Sequence, residues 1–345
     1  MTTLFLEPLD VLYLRGNQHF GAAGSHGAAL MPPWPSLAAG AIRSRLLASG
    51  ETLDTLAGFR LAYFGLARRN DAGQAQPFLP LPADVQITSP SLDDACYAVP
   101  QALTFAVSST KLPRQPVFVQ TKPAKPESGL WLDVEGIAAW MNGEPIKPPH
   151  VIRSSQLWQS DLRLGIALDP ARRTAAESRI YTAEAVALAQ NIGFVASYGG
   201  APVLTEDALV RLGGDGRGAI VHRAFLDFPE PDWGRIEREG RFRLMLLTPT
   251  PFADGWRPTG IAGELVAASV PRATTISGWD LAANDKGGAP KRAWRAAPAG
   301  SVYWFDRFSG DIAALKTLAS DGLPLPDPTR QAEGFGKLVI APWAC

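Results

Sequence analysis

Thirty prolines and 33 glycines cut this chain of 345 residues into short pieces. Proline lacks a backbone donor and clashes with the preceding helical turn, and glycine costs conformational entropy in any regular element, so long helical bundles are disfavoured. The punctuation clusters at Met31 to Pro35, Pro77 to Pro82, Pro113 to Pro126, Pro145 to Pro149 and Pro324 to Pro328. What remains between the clusters suits small sheets with many loops. A hydrophobic content of 46% is enough to build a core in each of two domains, and the chain is too long for one small domain.

Lys+Arg and Asp+Glu both number 33, so no global positive field marks a free-standing nucleic-acid binder, and any such contact must come from a local patch. Cys96 and Cys345 suggest neither a disulfide framework nor a zinc site, which points to a reducing cytoplasm. The opening MTTLFLEPLD has no basic segment followed by an apolar run, and no stretch approaches about eighteen uninterrupted apolar residues. Neither secretion nor a membrane partner is expected.

LFLEPLDVLYL reads as a strand and SLAAGAIRSRLLAS as a helix, with Ser36 as its N-cap and Arg43 and Arg45 near the edges of a rough apolar face. The proline-rich stretch from about Asp71 to His150 reads as an insertion. It holds strands around Leu103 to Ser108 and Val117 to Gln120 and a short helix near Gly136 to Met141. LRLGIALD and SRIYTAEAVAL are strand-like runs about a polar turn, and NIGFVASY is a further strand. FPEPDWGRIEREG reads as a linker before the strand RFRLMLLTPTPF.

The main organisational clue is a recurrence. GGDGRGAIVHRAFLDF and EGFGKLVIAPW each place a glycine-rich loop before a strand, and Gly214, Gly216, Arg217 and Ile220 can be laid on Gly334, Gly336, Lys337 and Ile340. FLEP near the start answers LLTP at Leu246 to Pro249. In the second half about 85 residues separate that proline from the glycines, the size of one βαββαβ unit, and in the first about 205 do. These spacings predict an α+β chain of two tandem ferredoxin-like domains. The first spans 1–232 and carries an insertion at about 71–150, and the second spans 233–345.

Glycines followed by a basic residue let backbone amides approach a phosphate and set a positive side chain beside it; a tight turn between two elements needs the same residues. Neither loop is a nucleotide motif: GGDGRG lacks the strand-loop-helix order of a dinucleotide site and no GxxxxGK[ST] occurs, so no cofactor is expected. His19, His26, His150 and His222 have no metal-like spacing. His19 and His26 share a loop with Arg15, Asn17 and Ser25, where a histidine can be a general acid or base or simply an exposed side chain. Arg163, Arg172 and Arg173 lie close in sequence to Asp169, Glu177 and Glu184, as a solvated hairpin with ion pairs or as arginines set against a phosphate backbone. Lys111, Arg114, Lys122 and Lys125 belong either to a protruding RNA-binding arm or to a solvated loop, and Trp279 and the exposed-looking Trp294 either stack on bases or pack in a core.

Taken together, EPLDVLYLRGNQHF, PPWPSLAAGAIRSRL, LRLGIALDPARRTAAESRIYTAEAV, LGGDGRGA, SGWDLA with RAAPAGSVYWF, and EGFGKLVIAPW resemble the third subunit of the type III-B CRISPR Cmr complex, in the repeat-associated mysterious protein (RAMP) superfamily. The resemblance touches most of the chain in order, outside the proline-rich insertion. It implies two RRM-like ferredoxin folds and a non-catalytic subunit that grips the 5′ repeat-derived handle of the CRISPR RNA (crRNA). It also implies contacts with the large polymerase/cyclase-like subunit and the first backbone RAMP subunit, and only indirect contact with target RNA. As RNA-facing residues it implies Arg15, Asn17, His19, Phe20, Ser36, Arg43, Gly214, Gly216, Arg217, Gly334, Gly336 and Lys337, with the hairpin arginines Arg163, Arg172 and Arg173 as weaker candidates. Two competing readings are a metal-independent repeat-RNA endonuclease using His19 or His26, and a metabolic enzyme with a pocket between two α+β domains.

Overall fold

The computed structural model describes residues 1–345 apart from 17–25, 104–109, 121–123, 170, 173, 281–282, 285–286 and 344–345, and leaves the side chains of 26, 167 and 175–180 aside. The chain begins with β1 (Thr2–Pro8), α1 (Ser36–Ala48), β2 (Arg60–Arg69) and α2 (Val134–Asn142). A long hairpin of β3 (Trp158–Leu168) and β4 (Ala175–Leu188) follows, then β5 (Ile192–Gly199) and β6 (Gly218–Arg223). The second half holds α3 (Trp233–Glu239), β7 (Phe242–Leu246), β8 (Glu264–Ser269), β9 (Val302–Asp306), α4 (Ile312–Asp321), α5 (Pro328–Ala332) and β10 (Leu338–Pro342). The protein is mixed α+β, with most of its regular structure in strands.

Each half is built on the same antiparallel arrangement. The first sheet contains the run β6-β1-β5-β2, and the second reads β10-β7-β9-β8. Counted in chain order within each half, both are 4-1-3-2. Both glycine loops lead into the fourth strand. The halves differ in their crossovers: α1 lies between the first and second strands of the first half, whereas α4 and α5 lie between the third and fourth strands of the second. The complementary connections, 200–217 and 247–263, contain no helix.

The second sheet explains why its strands are almost uninterrupted apolar runs: both of its faces are covered. Phe242, Leu244, Leu246, Tyr303, Phe305, Leu338 and Ile340 pack with α3 and α4 through Ile236 and Leu315. The alternate residues Met245, Val302, Trp304, Val339 and Ala341 face the other way. What covers that second face is the proline-rich segment. Leu79, Val85, Ile87, Leu130, Leu132, Ile137 and Trp140 share one core with it. The segment is therefore neither a protruding arm nor a solvated loop: Arg114 reaches Asp306 at 3.4 Å and lies 5.2 Å from the Trp343 ring centre. Lys111 and Lys125 remain exposed, and Lys122 lies outside the described residues.

Several local expectations shift. Pro35, with φ of −62° already helical, takes the position before α1, so Ser36 is the first helical residue and no side chain caps the helix. The linker reading of FPEPDWGRIEREG misses α3, where Asp232 accepts from the Arg235 amide and Gly240 closes the helix in the left-handed region. The helix expected near Gly136 to Met141 is α2, capped by Asp133. The expected strand at Leu103 to Ser108 lies almost wholly outside the described residues, and the one near Val117 is Gln115–Val117. Among the described residues no helix is long and apolar enough to cross a membrane.

Candidate nucleic-acid interface

A groove of about 260 Å³ lies between the two halves, and three expected residues from separate segments line it: Arg15, Ser36 and Gly214. Its remaining walls include Tyr13, Trp34 and the Ser277–Gly278 pair from the second half. The segment from Tyr13 to Arg15 is strapped on both sides. The Gly214 amide donates to the Tyr13 carbonyl at 2.9 Å, and the Leu30 amide donates to the Leu14 carbonyl at 2.6 Å. Gly213 permits this approach, because its φ is +91° and a Cβ there would stand 2.8 Å from the Tyr13 oxygen.

Two arginines gather around Tyr13, each paired with a carboxylate. The Arg217 guanidinium lies 5.3 Å from the Tyr13 ring centre, and its Nη1 pairs with Asp10. Arg163 donates to Asp161 at 2.9 Å and also interacts with Tyr13, and the Asp161 carboxylate holds its pKa above the usual arginine value. The groove also meets the first turn of α1, which contains no acidic residue and carries the positive end of the helix dipole. Arg43, seven residues after Ser36, returns to nearly the same side of α1 about 10 Å further along its axis. Arginines, an aromatic ring, glycine backbone and a helix start are the components that hold a phosphate backbone and a stacked base.

The second glycine loop is built differently. Lys337 is 6% exposed, and its Nζ donates to the Asp321 carbonyl at 2.7 Å. Burial lowers its pKa from the usual lysine value, opposed by Asp321. Gly334, at φ +94°, sits where a Cβ would be 3.0 Å from Leu61 and 3.2 Å from Pro35, so the loop seats one half on the other. Gly336, at φ +79°, is enclosed by Leu323 and Leu325. Gly334, Gly336 and Lys337, expected to face RNA, are buried against Leu61, Pro35, Leu323, Leu325 and the Asp321 carbonyl in this structure. Gly216, by contrast, is an exposed turn residue with nothing within 4 Å of its Cβ position.

Asn17, His19, Phe20 and Arg173 lie outside the described residues. Arg172 is exposed at the hairpin turn, where its amide donates to Asp169. His222 pairs with Glu7 at 2.7 Å. His150 is held by Asp133 at 3.1 Å; Glu135 lies close by, but the other Asp133 oxygen caps α2. Trp294 is half-buried beside the core of Ile276, Ala296 and Phe335, while Trp279 is 47% exposed and donates to the Gly287 carbonyl.

Sequence reasoning missed Tyr13, Trp34 and Ser277–Gly278. Tyr13 had a signal, since it stands two residues before Arg15, the spacing that puts side chains on one face of an extended segment. Nothing local to PPWP or TISGWDL shows that these distant segments meet.

A family model described as "CRISPR-associated protein (Cas_Cmr3)" matches residues 4–343. No curated protein sequence matches. Among solved structures, one similar chain comes from "Cryo-EM structure of the Type III-B Cmr-beta bound to cognate target RNA and AMPPnP, state 1". It is 15% identical, with 98% of this chain and 96% of that chain covered and a TM-score of 0.54. A chain of "Cryo-EM structure of the Type III-B Cmr-beta bound to cognate target RNA" has the same identity and coverage, with a TM-score of 0.51. The structural likeness shows a shared fold, and the family match spans nearly the whole sequence: this chain belongs to the Cas_Cmr3 family of CRISPR-associated proteins, the Cmr3 subunits of type III-B effector complexes.

Proposed function

We propose that this chain is a non-catalytic crRNA-binding subunit that grips the 5′ repeat-derived handle in the groove between its halves. The observation that carries the reading is the convergence of Arg15, Ser36 and Gly214 on one groove, with Arg163 and Arg217 gathered around Tyr13. We read each half as a ferredoxin-like, RRM-like RAMP domain, 1–232 and 233–345. Each keeps the 4-1-3-2 strand order and one of the two helical crossovers. The neutral net charge suits a cytoplasmic subunit held in place by protein neighbours as well as RNA. Those neighbours are the large polymerase/cyclase-like subunit and the first backbone RAMP subunit, which this chain bridges, and target RNA is met only through them.

The test is loading of handle-bearing crRNA into a reconstituted complex at physiological salt. Arg15→Ala combined with Arg217→Ala is expected to weaken loading by about tenfold or more, since hydrogen bonds to charged groups contribute about 1.5–3 kcal/mol each. Repeat RNA incubated with the purified chain should stay intact. Unchanged loading by the double variant would overturn the reading.

A further inference from the structure

We propose that Arg330 is a second-half phosphate-binding residue of this groove, reaching a phosphodiester of the bound single-stranded RNA past Gly278. The proposal rests on the groove being the RNA site. Arg330 is 1% exposed, yet its Nε and Nη2 have no hydrogen-bond partner; only Nη1 is engaged, donating to Glu333 at 2.9 Å. A guanidinium carries five donors in a fixed fork, and leaving buried donors unmade costs free energy that native structures rarely tolerate without a reason. The surrounding charge does not supply one. Glu333 is shared with Lys291, whose Nζ lies 2.7 Å away, so one carboxylate serves two cations and the cluster keeps a positive charge.

The unpaired donors are buried behind the wall of the groove. Gly278 lines it, and a Cβ on Gly278 would stand 3.8 Å from both Nη1 and Nη2 of Arg330. The donors are covered by this wall, so an RNA oxygen reaches them only when the Ser277–Gly278 backbone shifts outward, and the absent side chain keeps that wall thin. Phe335, with its ring centre 5.5 Å from the guanidinium carbon, and Glu333 hold the group in place, so little rotamer entropy remains to be lost on binding. Arg15 and the start of α1 face the same space from the first half. A phosphate placed there meets cationic groups from both halves, and bidentate guanidinium geometry matches its oxygens.

The experiment measures loading of handle-bearing crRNA into the reconstituted complex over a series of salt concentrations, with Arg330→Met, Arg330→Lys, Gly278→Ala and Arg15→Ala. Arg330→Met is expected to weaken loading about tenfold and to reduce the slope of log affinity against log salt by about 0.7, the loss of one phosphate contact on a single strand. Arg330→Lys should recover part of the slope. Gly278→Ala keeps the Arg330 side chain but thickens the wall between its donors and the groove, at a backbone φ of +159°, so a folded Gly278→Ala chain should reproduce the loss; it decides the matter alone if Arg330→Met does not fold. Wild-type affinity and slope in Gly278→Ala, or in a folded Arg330→Met, overturn the proposal. If Arg15→Ala still weakens loading in that case, the groove reading survives; if it too behaves as wild type, both fail.

Discussion

Arg243 lies within β7 with 4% of its surface exposed, on the face covered by the proline-rich segment. Its Nη1 donates to Asp84 at 2.6 Å, its Nη2 donates to the Trp140 carbonyl, and its guanidinium carbon lies 4.2 Å from the Trp140 ring centre. Trp140 Nε1 donates at 2.9 Å to the other Asp84 oxygen, so three residues from distant positions form one buried network in which only Arg243 Nε has no partner. Burial pushes the Asp84 carboxyl up and the Arg243 guanidinium down, and their contact opposes both shifts. Removing one partner strands a buried charge. Asp84→Ala is expected to destabilise the chain by about 3–5 kcal/mol, and adding Arg243→Met should recover most of that loss. Urea unfolding of the single and double variants checks this; a double variant as unstable as the single would show that the pair fixes packing as well as charge.

At the scale of elements, β3 carries a row of apolar residues that face outward from its hairpin with β4: Leu162, Leu164 and Leu168 are each at least 64% exposed and Ile166 is 49% exposed. They stand two apart, on one face of β3. Leu164→Ser should therefore change stability by no more than about 0.5 kcal/mol, whereas Leu244→Ala in β7 should cost about 2–5 kcal/mol, a contrast that paired urea titrations resolve. Strand periodicity made both elements legible in the sequence, but it could not say which apolar run is covered, because coverage comes from other segments. The glycine loops teach the same lesson. Their equivalence before a fourth strand was readable from spacing. The burial of Lys337 was not, because it depends on Leu61 and Pro35 from the other half meeting Gly334.

For the molecule as a whole, the decisive feature is that residues 79–151 complete the core of the second sheet. A fragment of residues 233–345 would keep the 4-1-3-2 strands but expose Met245, Trp304, Val339 and Ala341 along one face. It is expected to aggregate or bind a hydrophobic dye, while the full chain unfolds with those residues protected; a soluble fragment with a cooperative urea transition would contradict this. This interlock was hidden from a linear reading, which could detect the proline-rich stretch as an interruption but not what it interrupts. The same interlock sets an order of events during synthesis. Leu130–Leu132 leaves the ribosome about two hundred residues ahead of β10, so its apolar surface must wait for partners that do not yet exist, a long-range closure of the kind that slows folding and invites chaperones.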